Sequence, residues 1–271
     1  MTARWLLARR LCQLGLLGLF LTGPLTGWWV VKGTLASSVT LGRLPLTDPL
    51  ILLQSLLAGH RPERAALVGA GIVAAFYALL RGRLYCSWVC PLNMVTDAAG
   101  WLRLRLGLTE RSLLLSRRAR LWVLGGCLAV SAVSGTIAWE AVNPVTMLHR
   151  ALVFGALPTA GLVAGLVFLL DLTAGARSWC GHLCPVGAFY GLLGRFSLIK
   201  ISAARRAACD DCGDCYRVCP EPQVLTPALR GAARGIGPVV ASSDCTACGR
   251  CLDVCPHDVF AFGLGREKSE K

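Results

Sequence analysis

Four stretches of this chain, at about residues 11–31, 65–84, 121–142 and 151–172, are apolar over the length a bilayer demands, or nearly so. A spanning helix needs about 20 such residues. Lipid offers the backbone no hydrogen bonds, so segments of this kind must be helical. Only 16% of the 271 residues are Asp, Glu, Lys or Arg, against about 25% in an ordinary soluble domain. That is too few to wet the surface of one soluble domain. The formal net charge is +13. The basic residues sit beside the apolar runs and aromatics are few, so membrane sidedness explains the charge better than nucleic acid does.

Arg9 and Arg10 ahead of the first run would suit a cleaved leader. The run continues through Trp28 and Trp29, however, and reads as an uncleaved anchor. Of the 28 Lys and Arg, 23 lie before the first run, within 81–120, or after the fourth run. The positive-inside rule makes that side cytoplasmic and puts both termini there. Arg103, Arg105, Arg111, Arg117, Arg118 and Arg120 read as a strip at the lipid headgroups. Arg81, Arg83 and Asp171 read as side chains that reach out to the same level. Trp28, Trp29, Trp88, Trp139 and Trp179 fall near run ends, as an aromatic belt would place them.

The spans form two related hairpins. Asp48-Pro49 and Asn143-Pro144 each supply a helix N-cap followed by a proline at the first helical position. Cys86 lies 37 residues after Pro49, and Cys180 lies 36 after Pro144. Each cysteine opens a Cys-x3-Cys-Pro motif, Cys86 to Cys90-Pro91 and Cys180 to Cys184-Pro185. Spacing of i, i+4 puts the two thiols of a motif on one helical face. A true repeat makes both hairpins point the same way, about an axis along the membrane normal.

The sharpest chemical signal comes later. Cys209-x2-Cys212-x2-Cys215-x3-Cys219-Pro220 is followed by Cys245-x2-Cys248-x2-Cys251-x3-Cys255-Pro256. This is the spacing of bacterial two-cluster 4Fe–4S domains, in which the fourth cysteine of each run serves the other cluster. Cys209, Cys212, Cys215 and Cys255 are therefore assigned to cluster 1, and Cys245, Cys248, Cys251 and Cys219 to cluster 2. Zinc would need paired sets forming isolated tetrahedra, and disulfides do not persist on a reducing cytoplasmic side. Asp210, Asp211, Asp214 and Asp244 read as a solvated acidic face. Cys12 and Cys127 lie alone in apolar runs and read as inert.

The Cys-x3-Cys-Pro motifs leave several readings open. Cys86, Cys90, Cys180 and Cys184 can hold an additional iron–sulfur or metal centre, form a thiol redox pair, meet a partner, or simply pack. His182 can tune such a centre or only hydrogen-bond. No glycine-rich dinucleotide fingerprint and no mid-membrane histidine pair is present, so the natural electron donor is quinol. Its oxidation needs hydrogen-bonding groups and a proton acceptor. The candidates are Asp48, Gln54, His60, Glu140 and His149. Glu140 falls near the far end of the third run, and Gln54 and His149 each lie five residues after their proline.

Pro45-Leu-Thr-Asp-Pro-Leu50, Leu53-Gln-Ser-Leu56, Cys86-Ser-Trp-Val-Cys-Pro-Leu-Asn93, Trp179-Cys-Gly-His-Leu-Cys-Pro-Val-Gly187, Val218-Cys-Pro-Glu-Pro222 and Cys248-Gly-Arg-Cys-Leu-Asp-Val-Cys255 together resemble the NapH-type membrane ferredoxins over about residues 4–262. The resemblance implies an all-α membrane protein of four transmembrane helices in two pseudo-repeated hairpins (1–199). A small α+β two-cluster 4Fe–4S ferredoxin domain (200–262) and a polar tail (263–271) follow. It implies a multi-pass protein of the bacterial inner membrane. It also implies electron transfer from quinol through a soluble periplasmic, NapG-like iron–sulfur partner and cytochromes toward periplasmic nitrate reductase. Two alternatives stand beside it. One is an accessory or maturation ferredoxin that serves another respiratory or methylamine-oxidising enzyme. The other is a scaffold with purely structural clusters. A periplasmic partner and cytoplasmic clusters require electrons to cross the bilayer, with the four boundary cysteines as the obvious stepping point.

Two 4Fe–4S centres set an expected content of eight irons per chain after anaerobic purification. Iron and sulfide analysis with EPR checks it. Zinc in place of iron would overturn the assignment, and more than eight irons would implicate Cys86, Cys90, Cys180 and Cys184.

Overall fold

The structure is a computed structural model that describes residues 3–108, 116–175 and 177–264, and these are mostly helical. Helix α1 (Arg4–Thr26) is followed by strands β1 (Val31–Gly33), β2 (Ser37–Thr40) and β3 (Leu44–Thr47), then by helices α2 (Pro49–Leu57), α3 (Arg64–Leu79), α4 (Leu84–Trp88) and α5 (Leu92–Arg105). Helices α6 (Ala119–Ser134), α7 (Pro144–Val153) and α8 (Leu157–Thr173) come next, then a π-helical turn (Trp179–Leu183) and α9 (Pro185–Leu193). The remainder holds β4 (Ile199–Ser202), the short helices α10 (Asp214–Val218), α11 (Leu225–Arg230) and α12 (Arg250–Val254), and β5 (Ala261–Leu264).

Among the described residues, α1 alone is long and apolar enough to cross a bilayer, with 23 residues. Helices α3, α6 and α8 are apolar but have 16, 16 and 17 residues. At about 1.5 Å per residue they span roughly 25 Å, short of the ~30 Å hydrocarbon core. One cause is visible at α6. Gly135 takes a left-handed conformation (φ 67°) and caps the helix, so residues 135–142 turn instead of continuing it. Glu140 consequently lies in a turn and not on the third apolar helix.

The internal repeat is legible in the order of elements. After α1 come α2, α3, α4 and α5; after α6 come α7, α8, the π turn and α9. Asp48 accepts a hydrogen bond from the Leu50 N–H at 2.8 Å, and Asn143 accepts one from Val145 at 3.1 Å. Pro49 and Pro144 open the two helices. Among the described residues, the three-stranded antiparallel sheet after α1 has no counterpart after α6. Its order is β1-β2-β3, with Val31 opposite Thr40 and Ser38 opposite Leu46. Pro45 sits on the edge strand β3, where a missing donor is tolerated.

The chain forms two compact units. One contains residues 13–75 and 90–189. Within it α5 and α7 pack on α8, and α2 packs on α6. Polar groups face inward. The buried Gln54 carbonyl accepts from the Ser131 hydroxyl (3.2 Å) and the Trp139 N–H (3.0 Å), tying α2 to the end of α6. Asp171 is fully buried and accepts from the Trp179 N–H at 2.9 Å, which fixes the entry to the π turn. Arg103 is buried and donates to the Leu172 carbonyl, and Arg120 is buried as well. The headgroup strip thus loses Arg103 and Arg120; Arg103 is held at the C-terminal end of α8, whose free carbonyls hold a guanidinium better than open surface does. Arg105 is exposed over Trp101, and Arg111 lies outside the described residues. Trp139 is buried against Trp179, which leaves Trp28 and Trp29 as the exposed members of the expected belt.

The other unit contains residues 1–12, 76–89 and 190 onward. Strands β4 and β5 pair antiparallel, with Ile201 opposite Phe262. Ile201, Val224, Leu225, Val240, Val254, Val259 and Phe260 form its core around the cysteines. Tyr85 stacks on Tyr190 at 4.8 Å, and Tyr77 meets both rings edge-on. A side chain at Gly82 would place its Cβ 1.7 Å from the Tyr190 carbonyl oxygen. Backbone cannot swing away as a flexible side chain can.

Gly82→Ala is therefore expected to cost about 3 kcal/mol or more through overpacking. Gly100→Ala, which enters open space, serves as the mild control in thermal unfolding of the detergent-solubilised chain.

Candidate iron–sulfur centres

The two cysteine loops share one backbone path. Asp211 and Ala247 have φ of 59° and 48°, and Gly213 and Gly249 have φ of 79° and 73°. These left-handed residues curl each loop so that its three thiols face inward. Helices α10 and α12 follow, and each ends at the fourth cysteine. Cys219 (ψ 130°) and Cys255 (ψ 115°) are extended because the next residue is proline. The result is an exchange of ligands. Cys209, Cys212, Cys215 and Cys255 line one cavity, and Cys219, Cys245, Cys248 and Cys251 line another. The two cavities are alike in size. They bring together the two sets of four that the spacing indicated.

The donor chemistry suits iron–sulfur clusters. Burial pushes the Cys215 thiol up to about 11, and the Cys251 thiol goes well above its ordinary value for the same reason. Such thiols keep their protons until a metal replaces them. Among the described residues, no three or more His, Cys, Asp or Glu side chains close around a single-ion site.

The surroundings of the two cavities differ. Around the first, Cys212 is exposed, and Asp210 accepts from its N–H at 3.3 Å. Asp211 pairs with Arg230, and Asp214 with Arg217. These exposed pairs contribute little stability. The second loop is enclosed. Trp88 Nε1 donates to the Ala247 carbonyl at 3.1 Å. Trp5 lies against Gly249, where a Cβ would come 2.5 Å from the indole, and packs on Phe262 at 4.5 Å. The Asp253 carboxylate accepts from the N–H groups of Trp5 and Leu6 (3.1 and 3.0 Å). Arg81 and Arg83 do not snorkel; they are 1% and 2% exposed. Arg81 donates to the carbonyls of Cys245, Ser242 and Ile199, and Arg83 to Glu221 (2.7 Å) and the Asp244 carbonyl (2.8 Å). Burial opposes the charge on Arg83, and the direct ion pair with the equally buried Glu221 compensates it. Sequence reasoning missed this clamp. The available signal was two arginines around a glycine, just ahead of a cysteine motif.

The Cys-x3-Cys-Pro pairs do not sit on regular helical faces. Helix α4 carries Cys86 and ends at Trp88, before Cys90. Cys180 lies on the π turn and Cys184 just beyond it, extended at ψ 110° ahead of Pro185. Cys86 belongs to one compact unit and Cys90, Cys180 and Cys184 to the other. Cys90, Cys184 and His182 are buried. Among the quinol candidates, Asp48 is buried as a helix cap, and burial pushes its carboxyl up to about 6. Glu140 accepts from the Asn143 amide at 3.3 Å. Gln54 is committed to packing, and His60 is exposed. His149 is 2% exposed and edge-on to Phe20 at 4.6 Å, and among the described residues neither ring nitrogen has a hydrogen-bond partner. Burial pushes its pKa down to about 4, so the imidazole is neutral at pH 7.

Comparison with known proteins agrees with this arrangement. Residues 65–109 and 157–203 each match the family described as a 4Fe-4S binding domain, so one family covers both Cys-x3-Cys-Pro motifs. Residues 208–259 match the family described as a 4Fe-4S dicluster domain. Fold and cysteines together define an iron–sulfur electron-transport protein of ferredoxin type. The chain belongs to the family of ferredoxin-type proteins that includes MauN and NapH. It is 56% identical over 261 residues to the methylamine utilization ferredoxin-type protein MauN of Paracoccus denitrificans, covering 95% of this chain and 89% of that protein. Identity to MauN of Methylorubrum extorquens is 53% over 257 residues, covering 95% and 88%. Identity to the ferredoxin-type protein NapH of Escherichia coli is 49% over 257 residues, again covering 95% and 88%. No solved structure matches the chain.

Glu221→Ala would strand the buried Arg83 guanidinium without its carboxylate. Breaking such a pair costs about 3–5 kcal/mol, and the expected outcome is lower thermal stability with loss of iron from the purified chain.

Proposed function

We propose that the chain is a membrane-embedded electron carrier that draws electrons from quinol and conducts them through two 4Fe–4S clusters. The exchange of cysteines between two like cavities carries this reading. Cys209, Cys212, Cys215 and Cys255 hold one cluster, and Cys245, Cys248, Cys251 and Cys219 the other. Each cluster accepts or gives one electron at a time.

The membrane part of the reading rests on inside-out packing. Leu7, Leu11, Leu67, Ile72, Trp122, Val133, Leu162 and Leu166 are exposed while Gln54, Ser131, Arg103 and Asp171 are buried. Little of α1 is buried. We take residues 1–199 as a four-span bundle in the bacterial inner membrane and 200–262 as a cytoplasmic ferredoxin domain, with both termini cytoplasmic on the count of basic residues.

Quinol oxidation releases two electrons and two protons. A neutral, unpartnered His149 is suited to accept a hydrogen bond from a quinol hydroxyl, and Asp48 and Glu140 are the carboxylates available to take up protons. Gln54 positions α2 against α6, and His60 contributes nothing buried. Cys86, Cys90, Cys180 and Cys184 remain candidates for ligands of an additional iron–sulfur or metal centre. Downstream, the family resemblance points to a periplasmic iron–sulfur protein, cytochromes and nitrate reductase. The second reading, service to a methylamine-oxidising enzyme, is favoured by one observation: identity to two methylamine utilization proteins is 53–56%, against 49% to NapH, while a third MauN stands at 49%.

A quinol analogue added to the anaerobic, cluster-loaded protein should generate the EPR signals of reduced clusters. His149→Phe should slow this at least tenfold while dithionite still reduces the clusters fully. Failure of every quinol, with and without a periplasmic partner, would overturn the proposal. Growth of a deletion strain on methylamine, compared with its periplasmic nitrate reduction, separates the two acceptors.

A further inference from the structure

We propose that Arg81 is the built-in counter-charge of the second cluster and raises its reduction midpoint. The proposal rests on the reading that Cys245, Cys248, Cys251 and Cys219 hold that cluster. A guanidinium cannot shed its proton in a protein, and a buried charge without an opposite charge is costly. Arg81 is almost wholly buried. Its hydrogen bonds go to three backbone carbonyls, those of Cys245 (3.1 Å), Ser242 (2.5 Å) and Ile199 (3.2 Å). Among the described residues no carboxylate pairs with it. Arg83, two residues on, is equally buried but has Glu221 at 2.7 Å. The clamp therefore carries one compensated cation and one whose charge only dipoles oppose.

The missing anion is the cluster. With four thiolates a 4Fe–4S core is negatively charged, and one-electron reduction adds a further negative charge. A fixed cation beside it stabilises the reduced form more than the oxidised form. Net charge and hydrogen bonding around the sulfurs are the levers that set such potentials. The position is held rigidly. Gly82, between the two arginines, packs backbone to backbone against Tyr190 and Gly194. The first cavity has the opposite environment, with Asp210, Asp211 and Asp214 in its lining and an exposed Cys212.

The test is an EPR-monitored redox titration of the full chain in detergent, with dithionite as the electron source and iron and sulfide counted in every sample. Cys212→Ser, which disturbs the first cluster, identifies which midpoint belongs to which centre. Arg81→Gln should lower the second midpoint by at least tenfold in the reduced-to-oxidised ratio, 59 mV for a one-electron couple. Arg81→Lys should keep most of the wild-type value. Glu221→Gln should move the same midpoint upward by releasing the charge of Arg83, a reversal that general loosening of the fold would not produce. Should Arg81→Gln fail to retain iron, Arg81→Lys and Glu221→Gln, whose amide carbonyl still accepts from Arg83 where alanine cannot, carry the test. Two intact clusters whose midpoints ignore all three changes, or a shift in the first cluster instead, would overturn the proposal and leave the cluster assignment standing. Wild-type protein without iron and sulfide would bring down the assignment itself.

Discussion

Each cavity is completed by a cysteine from the other run, and the C-terminal part of the chain depends on that crossing. Neither loop can close its set of four alone. Helices α10 and α12 are only five residues long, too short to be stable by themselves, yet each must deliver its last cysteine across the pseudo-symmetric core. Cys–Pro junctions make the delivery reproducible, since proline forces the cysteine out of the helical conformation at the same point in both runs. A domain of some sixty residues has little apolar surface to bury, so bound metal would supply much of what the core of Ile201, Leu225, Val240 and Phe260 cannot.

The second loop is anchored in a way the first is not. Residues far away in sequence reach it: Trp5 from α1, Arg81 and Arg83 from the turn between α3 and α4, Trp88 from α4. The first loop meets solvent through Cys212 and its aspartates. Two loops with nearly the same backbone thus sit in unlike electrostatic surroundings, which is the condition for two chemically identical clusters to behave differently.

Much of this was legible from spacing, because spacing is what thiol ligation and helix caps constrain. The cysteine sets, the N-caps Asp48 and Asn143 and the repeat followed from it. The small sheet of β1 to β3 did not, since strands of three or four residues leave almost no periodic trace. Arg81, Arg83 and Asp171 were misplaced for a common reason. An ionisable residue at the end of an apolar run looks the same whether it turns toward headgroups or toward carbonyls brought in by later sequence. Gly135 ended α6 early, and one glycine among several small residues gave no warning of which would adopt a left-handed conformation. Gln54, offered as a ligand-binding group, serves instead to hold two helices together.

The contact between Asp253 and the first turn of α1 joins the two ends of the chain. Two of the four amides that a helix leaves bare at its start are satisfied by a carboxylate 247 and 248 residues away. The first turn of α1 therefore stays frayed until the helix after the second cysteine loop brings Asp253 into place. The start of α1 and the closing of the second cysteine loop are thus coupled, and losing the Asp253 carboxylate would leave that first turn unfastened.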